Sequence, residues 1–586
     1  VTKNRKKVKK QQLFDPDTIS TEVHQALWRD FRDAQHVYCI KDDLTAFSFN
    51  RQAEELLKKF CSHRQDKDKL EFETFAKFRK VNKHMAKTNI KLKEKFSCMP
   101  SHINKSTPKD EKIHLRARAI MHFVLTDFLE DEWFEECKNS PGSSIGVPFS
   151  DTSIERKFTF PMSVTSEVEP LFNRYMSFNW MLKEAVSNYN SQHPLGGMYT
   201  RVQGSRGTTV DKTTTTRRFI CVEPTCNMFL QQGLMQMMYK RMEVVGLDVE
   251  TLPFRHQELA KWSSVSHKDA TIDWSSASDC VSIELLRWLL PPKWFRYIML
   301  LRSSQTVLNG KQVPLYMISS MGNATTFPLE TLVFWSYAHA VLLTENANNN
   351  SLFPKWEDLR KVSVFGDDCI VPTHSAIEFI DAMVGIGFIV NKEKSFYGET
   401  EHFRESCGGD FLAGYNVRPY NLRAPRSRSK SSLEPWLYII MNSLLEKYMS
   451  YFGELCYLYD KSVFRYLFSL FRKHNLLVKI VPAYFPDDAG LKISRDIERF
   501  SLCYDFRLSR IKVDVHGSVQ FNYLHFRYRK KVSNDPYIRY CEWLRKPVAD
   551  LREPQHSHSL RRIGGYVVSK HITGHWSVPS VQEGLN

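Results

Sequence analysis

The chain has 586 residues, 42% of them hydrophobic and 25% charged, with a formal net charge of +17 and a pI near 9.2. That length exceeds what one hydrophobic core organises, so several lobes are expected, and the ordinary apolar content excludes a disordered or fibrous chain. The cationic excess favours a polyanionic partner, nucleic acid ahead of membrane surfaces and ribosomal partners, because Lys and Arg neutralise phosphates and release condensed counterions.

The first ten residues carry Lys3, Arg5, Lys6, Lys7, Lys9 and Lys10. Such a run reads as a solvated arm, with an RNA-touching arm as the alternative. No apolar run follows it, so it is not read as a signal peptide. Residues 17–137 have apolar positions at three- and four-residue spacing and are predicted helical. Residues 139–151 (NSPGSSIGVPFSD) read as a loop between subdomains, and residues 204–216 (GSRGTTVDKTTTT) as a second flexible stretch ahead of Arg217 and Arg218. Cys221 and Cys226 are the closest pair among twelve scattered cysteines. No second pair or His cluster completes a zinc site with them, so free thiols in a reducing cytoplasm are expected.

From residue 268 the pattern alternates short strands with helices. Residues 270–273 (ATID) read as a strand ending at Asp273. A helix follows, with Ser278 or Asp279 as its N-cap, Ile283, Leu285, Leu286, Trp288 and Leu289 periodic behind it, and Pro291 and Pro292 stopping it. Residues 325–343 are predicted as a long helix entered through the loop Ser319, Ser320, Met321, Gly322, Asn323. The longest apolar stretch, 333–343, contains Ser336 and His339 and is about half a membrane span. Residues 362–371 read as strand, turn and strand, with Asp367 and Asp368 together at the hairpin tip. A helix from 375 ends near Gly385 or Gly387, and 388–390 reads as a strand.

These carboxylates suggest a chemistry. Nucleotidyl transfer needs two divalent cations about 4 Å apart, and hard cations demand oxygen ligands. Asp273 at a strand end and Asp367 with Asp368 on a hairpin could converge, with Gly366 allowing the tight turn. Singly, each piece has a plainer reading: Asp-Asp as turn chemistry, Asp273 and the serines after it as a helix cap.

Six segments change the weighing. They are VEPTCNMFLQQG, ATIDWSSASD running on to LLPPKWF, ISSMGNATTFPLETLVFW, VFGDDCIV, GFIVNKEKSF and FRESCGGDF. In this order and spacing, residues 208–420 resemble the replicase subunit of single-stranded RNA bacteriophages, the leviviruses and their relatives. The resemblance implies an α+β right-hand polymerase with fingers, palm and thumb, its palm built on an antiparallel sheet. The expected division is residues 1–265 for the N-terminal region and fingers, 266–400 for the palm, and 401–586 for the end of the palm, the thumb and the C-terminal region.

It also implies site roles. Asp273 and Asp367 match the principal ligands of two Mg²⁺ ions, with Mn²⁺ as an alternative, and the adjacent Asp368 ligates or tunes one of them. Asp279 and Asn323, assisted by Ser319 or Ser320, match ribose-contacting positions, where the 2′-OH separates RNA from DNA precursors. Lys212 and Arg218 match the basic positions that handle the triphosphate. Thr215 stands where the family often has Lys, and Arg217, where an acidic residue is common, is a substitute for that charge or points elsewhere. Lys394 matches a position that protonates pyrophosphate or holds the triphosphate electrostatically, with Lys392 as its neighbouring rival. Trp274, Ala324 and Pro328 are mild departures that remove no required group.

The expected partners are RNA template and product, ribonucleoside triphosphates, host elongation factors Tu and Ts and host RNA-binding proteins. No membrane is expected, and the setting is the cytoplasm of an infected bacterium. A reverse transcriptase is disfavoured by Asp279 with Asn323, and a noncatalytic RNA-binding relative by the three intact aspartates.

Overall fold

The computed structural model describes residues 13–37, 43–62, 64–139, 142–147, 152, 157, 160–192, 197–345, 351–425, 427–452, 461–492, 509–513, 518–530 and 560–573. The basic arm at 1–10 and residues 140, 141 and 148–151 of the loop at 139–151 lie outside the described residues. Helices and sheets are mixed, in keeping with the α+β expectation.

Two hydrophobic cores organise the chain. The first draws on residues between Phe75 and Phe388. Its spine is the helix Thr326–Glu345, buried on almost every side, as expected of a helix apolar all round. This helix packs on Lys109–Leu125, where the Arg116 guanidinium donates to the Thr344 hydroxyl at 2.8 Å and His114 meets the Tyr337 hydroxyl at 2.8 Å. The long helix Lys67–Ser97 starts where the Asp66 carboxylate accepts from the Lys69 N–H. It presents Phe78 to stack on Phe219, with ring centroids 3.8 Å apart.

The second core joins the two ends of the chain. Helices Pro16–Val37 and Asp43–Glu55 pack with Lys430–Phe452 and Ser462–Lys473. Buried Asp30 accepts from the Tyr448 hydroxyl and from the backbone N–H groups of Ser462 and Val463. The N-terminal helices thus share a core with residues 422–524 rather than with the rest of the 1–265 segment.

Two sheets frame the space between the cores. One is three-stranded and antiparallel, with Asp368–Pro372 between Asp269–Ile272 and Ser363–Phe365. The other is four-stranded, in the order Arg217–Val222, Ser205–Asp211, Gln305–Leu308, Lys311–Pro314.

Several local expectations are corrected. Residues 205–211, read as flexible, form a strand, because the Thr- and Val-bearing run 206–211 pairs residue by residue with 222–217, and Gly204 and 212–216 remain outside it. The helix after Asp273 is Ile283–Leu289, and its cap is Ser282, whose hydroxyl accepts from the Leu285 N–H at 3.3 Å; Ser278 and Asp279 lie in a short 3₁₀ turn before it. Residues 388–390 make no strand, only a single bridge from Val390 to Trp274. The hairpin turn has two residues, Gly366 and Asp367; Asp368 already belongs to the return strand, paired with Phe365.

Candidate active site

A cavity of about 750 Å³ opens between the two cores. The three-stranded sheet brings two carboxylates to it. Ile272 pairs with Cys369, so Asp273, one residue on, emerges at the end of the sheet where the 366–367 turn closes. Asp273 and Asp367 both line the cavity. Asp367 is exposed at the tip. Gly366 takes φ +60°, and a Cβ there would stand 2.7 Å from the Phe327 ring, so the turn requires glycine. The Gly366 N–H donates to the Thr331 hydroxyl at 2.9 Å, fixing the tip to the helical spine.

Asp273 is held from behind. Its N–H donates to the Ser395 hydroxyl at 3.1 Å, its carbonyl accepts from the Asn391 N–H at 2.9 Å, and its carboxylate accepts from the Asn391 side-chain amide. Asp368 differs. Its carboxylate accepts from the Cys407 N–H at 3.2 Å, and it is not among the residues lining the cavity. Burial, then the neighbouring charge of Asp367, pushes Asp273 up to about 6; burial, then Asp367 and Asp273, pushes Asp368 up to about 7. Glu330, a fully buried acid on the spine that also lines the cavity, is raised well above the glutamate range by burial and by Asp367, Asp279 and Asp368. Among the described residues no three His, Cys, Asp or Glu side chains are already gathered closely enough to hold a metal ion.

The loop 319–323 contributes the next wall. Gly322, at φ +116°, lies against the Cys221 carbonyl so closely that a Cβ would sit 2.1 Å from its oxygen. The Cys221 N–H donates to the Met321 carbonyl at 2.8 Å. Ser320 donates its hydroxyl to the Asp279 carboxylate at 2.5 Å, whereas Ser319 is turned to Thr326. Asp279 and Asn323 line the cavity and Ser320 stands behind Asp279. Burial pushes Asp279 up to about 6 against the opposing bond from Ser320. The Asn323 side-chain oxygen accepts from the Thr325 N–H and hydroxyl at 2.9 and 2.8 Å.

Cations face these acids. Lys212 and Arg218 lie on the cavity wall, and among the described residues neither makes an ion pair. Burial, then the charges of Arg218, Lys77 and Lys394, lowers the Lys212 ammonium below its usual value. Arg217 also lines the cavity, but its guanidinium is tied into its own hairpin, to the Asp211 carboxylate, the Thr209 hydroxyl and the Thr209 carbonyl. Lys394 lines the cavity with its ammonium 3.1 Å from Glu405, and Lys392 does not line it. Burial opposes the Lys394 charge, yet Glu405, Asp273 and Asp368 outweigh it and hold the proton above the ordinary lysine value.

Sequence reasoning did not single out Asn391, Glu405, Glu330 or Lys77. The first three stand inside the quoted segments, so a closer look at polar residues flanking the aspartates would have found them. Lys77 sits in a helix with no distinguishing pattern.

The family described as RNA replicase, beta-chain matches residues 16–445. The chain belongs to this family. Among this replicase chain's relatives, the RNA-directed RNA polymerase beta chain of Enterobacteria phage GA is 31% identical over 313 residues, covering 53% of this chain and 55% of that protein. The corresponding chain of Escherichia phage MS2 is 28% identical over 414 residues, 70% of each. The RNA-directed RNA polymerase subunit beta of Escherichia virus Qbeta is 36% identical over 220 residues, 37% of this chain and 35% of that one. The chain thus spans about half the length of relatives such as the GA protein. Among solved structures, the RNA-dependent RNA polymerase of a human picorbirnavirus aligns over 45% of this chain and 55% of its own, at 14% identity and a TM-score of 0.28. No described helix is long and apolar enough to cross a membrane.

Proposed function

We propose that this replicase-family chain is an RNA-directed RNA polymerase that copies a single-stranded RNA phage genome, with the cavity between its cores as the catalytic centre. The observation that carries this reading is the placement of Asp273 and Asp367 together at one end of an antiparallel sheet, in the same cavity as Lys212 and Arg218, which make no ion pair among the described residues. Acids for cations and cations for phosphates in one space are what phosphoryl transfer requires. In right-hand terms, the three-stranded sheet serves as palm, the 205–222 hairpin as part of the fingers and the second core as thumb.

The donor set fits Mg²⁺, with Mn²⁺ as the alternative. The groups are hard oxygens, and the upward shifts of Asp273 and Asp368 reflect burial and mutual repulsion that a divalent cation relieves. Asp273 and Asp367 would hold two such ions, with Asp368 adjacent. Bound there, the ions supply activation of the 3′-hydroxyl and neutralisation of the triphosphate. The protein's own residues do the positioning. Asn391 and Ser395 hold Asp273, and Thr331 and Phe327 hold the Asp367 turn. Lys212 and Arg218 receive the triphosphate. The firmly held proton on Lys394 favours electrostatic support of the leaving group. Asp279, set by Ser320, and Asn323 read the ribose. The family's further properties are carried over in the same proposal: de novo initiation, a holoenzyme with host elongation factors Tu and Ts and host RNA-binding proteins, and action in the cytoplasm of the infected bacterium.

Competition between ribonucleotides and deoxynucleotides tests the ribose assignment. Wild type is expected to prefer ribonucleotides strongly, and Asp279→Asn to narrow that preference by about tenfold to a hundredfold, the worth of a charged hydrogen-bond partner. Equal use of both sugars by wild type contradicts the reading.

A further inference from the structure

The loop that carries Lys212 is not supported by its own hairpin alone. Thr213 and Thr214 are bonded to a connector formed by residues 58–62, 64 and 65, far away in sequence. The Thr214 N–H donates to the Lys58 carbonyl at 2.9 Å, the Gln65 side-chain amide donates to the Thr214 carbonyl, and the Cys61 thiol donates to the Thr213 carbonyl at 3.6 Å. The connector is anchored in turn. Phe60 is buried in the second core, the Leu422 N–H donates to the Leu56 carbonyl at 2.7 Å, the Ser62 hydroxyl donates to Asp17, and Arg64 pairs with Asp15 at 2.6 Å. The other end of the hairpin belongs to the first core through Phe219 stacked on Phe78.

This arrangement has an electrostatic consequence. Lys212, Arg218 and Lys77 share the cavity wall with no acid paired to Lys212 or Arg218 among the described residues, so their like charges push one another apart whenever no phosphate lies between them, offset in part for Lys212 by the charge of Asp273. Both backbone groups of Thr214 are tied down against that push. We infer that this connector, through Lys58, Cys61 and Gln65, is a latch on the triphosphate-binding loop, with Gln65 as a positioning residue that sets where Lys212 and Arg218 stand. Lys58 and Lys59 at the connector's start line the cavity, whereas Gln65 does not and acts through Lys212 and Arg218. The latch rests on the proposal that those last two cations bind the triphosphate.

The test compares the full chain with Gln65→Met, which keeps the side-chain length and removes the donor, and with Thr214→Ala, which leaves both backbone bonds in place. Hydrogen exchange of the 212–218 amides, the Kd for inorganic tripolyphosphate and the KM and kcat for RNA synthesis are measured for each. Gln65→Met is expected to speed exchange in this loop and to raise both the Kd and the nucleotide KM about threefold to tenfold, the worth of one hydrogen bond, with kcat within about twofold of wild type. Thr214→Ala is expected to match wild type in all of them. Faster exchange with unchanged Kd and KM would overturn the inference, since the tether would then be structural only, and unchanged exchange would overturn it as well. If the wild-type chain makes no RNA, the polymerase reading fails while exchange and tripolyphosphate binding still decide the latch.

Discussion

Asp367→Asn is expected to lower RNA synthesis by about 10³-fold or more, because a bound metal ion supplies several kcal/mol of transition-state stabilisation and each 1.4 kcal/mol is a factor of ten. Asp367 is the change of choice because its side chain is exposed at a two-residue turn whose shape rests on Gly366, Phe327 and Thr331 rather than on the carboxylate. The amide is nearly the same size and keeps one oxygen, so the turn should persist. The affinity for RNA, measured by filter binding across a salt series, is expected to stay within about twofold of wild type, since backbone phosphates are met by Lys and Arg. Synthesis by Asp367→Asn at the wild-type rate would remove Asp367 from the metal site. The parallel change at Asp368 is expected to be milder, as its carboxylate faces the Cys407 N–H and not the cavity.

The second large effect is on stability. Arg302 is buried, and its guanidinium donates to the carbonyls of Ile318, Leu315 and Met317 at 2.7, 2.9 and 3.1 Å. These carbonyls belong to the segment that delivers Ser319 and Ser320 to the site. Burial lowers the Arg302 guanidinium to about 10, against the favourable charge of Glu223. Burial pushes Glu223 up to about 7, opposed by hydrogen bonds that include the Ser303 hydroxyl at 2.6 Å and by the charge of Arg302. Arg302→Met fills similar space but leaves three buried carbonyls without a donor and Glu223 without its cation. The expected loss is about 3–5 kcal/mol, the range for breaking a buried charged network from one side. Urea denaturation followed by tryptophan fluorescence measures it, and a midpoint within error of wild type would show that the network contributes little.

Much of the catalytic half was legible from the sequence because its signals are local. The helix at 326–345 announces itself as a long apolar run, and the hairpin at 363–372 as two short apolar runs around Gly366. Errors arose where local chemistry is ambiguous. Asp279 has the composition of a helix cap, yet Ser282 does the capping and Asp279 turns to Ser320. Asp368 already ranked behind Asp367 in the sequence, and the two-residue turn gives the reason, since it sends consecutive side chains to different surroundings. The sequence leaves Arg217 open as a substitute charge or a side chain turned elsewhere, because only the hairpin register places Asp211 opposite it. Least legible was the second core, where Leu56 meets Leu422 and Asp30 meets Tyr448 with hundreds of residues between them. Neither side carries a periodic mark of the other. The same long-range closure brings Gln65 to Thr214.

RNA synthesis by the purified full chain tests the central claim most directly. Supplied with Mg²⁺, the four ribonucleoside triphosphates and a defined single-stranded RNA, alone and with the host elongation factors Tu and Ts, the protein should produce labelled RNA complementary to the template. Chelation of the metal should stop it. Absence of any templated product under both conditions, or product of equal yield from deoxynucleotides, would contradict the account.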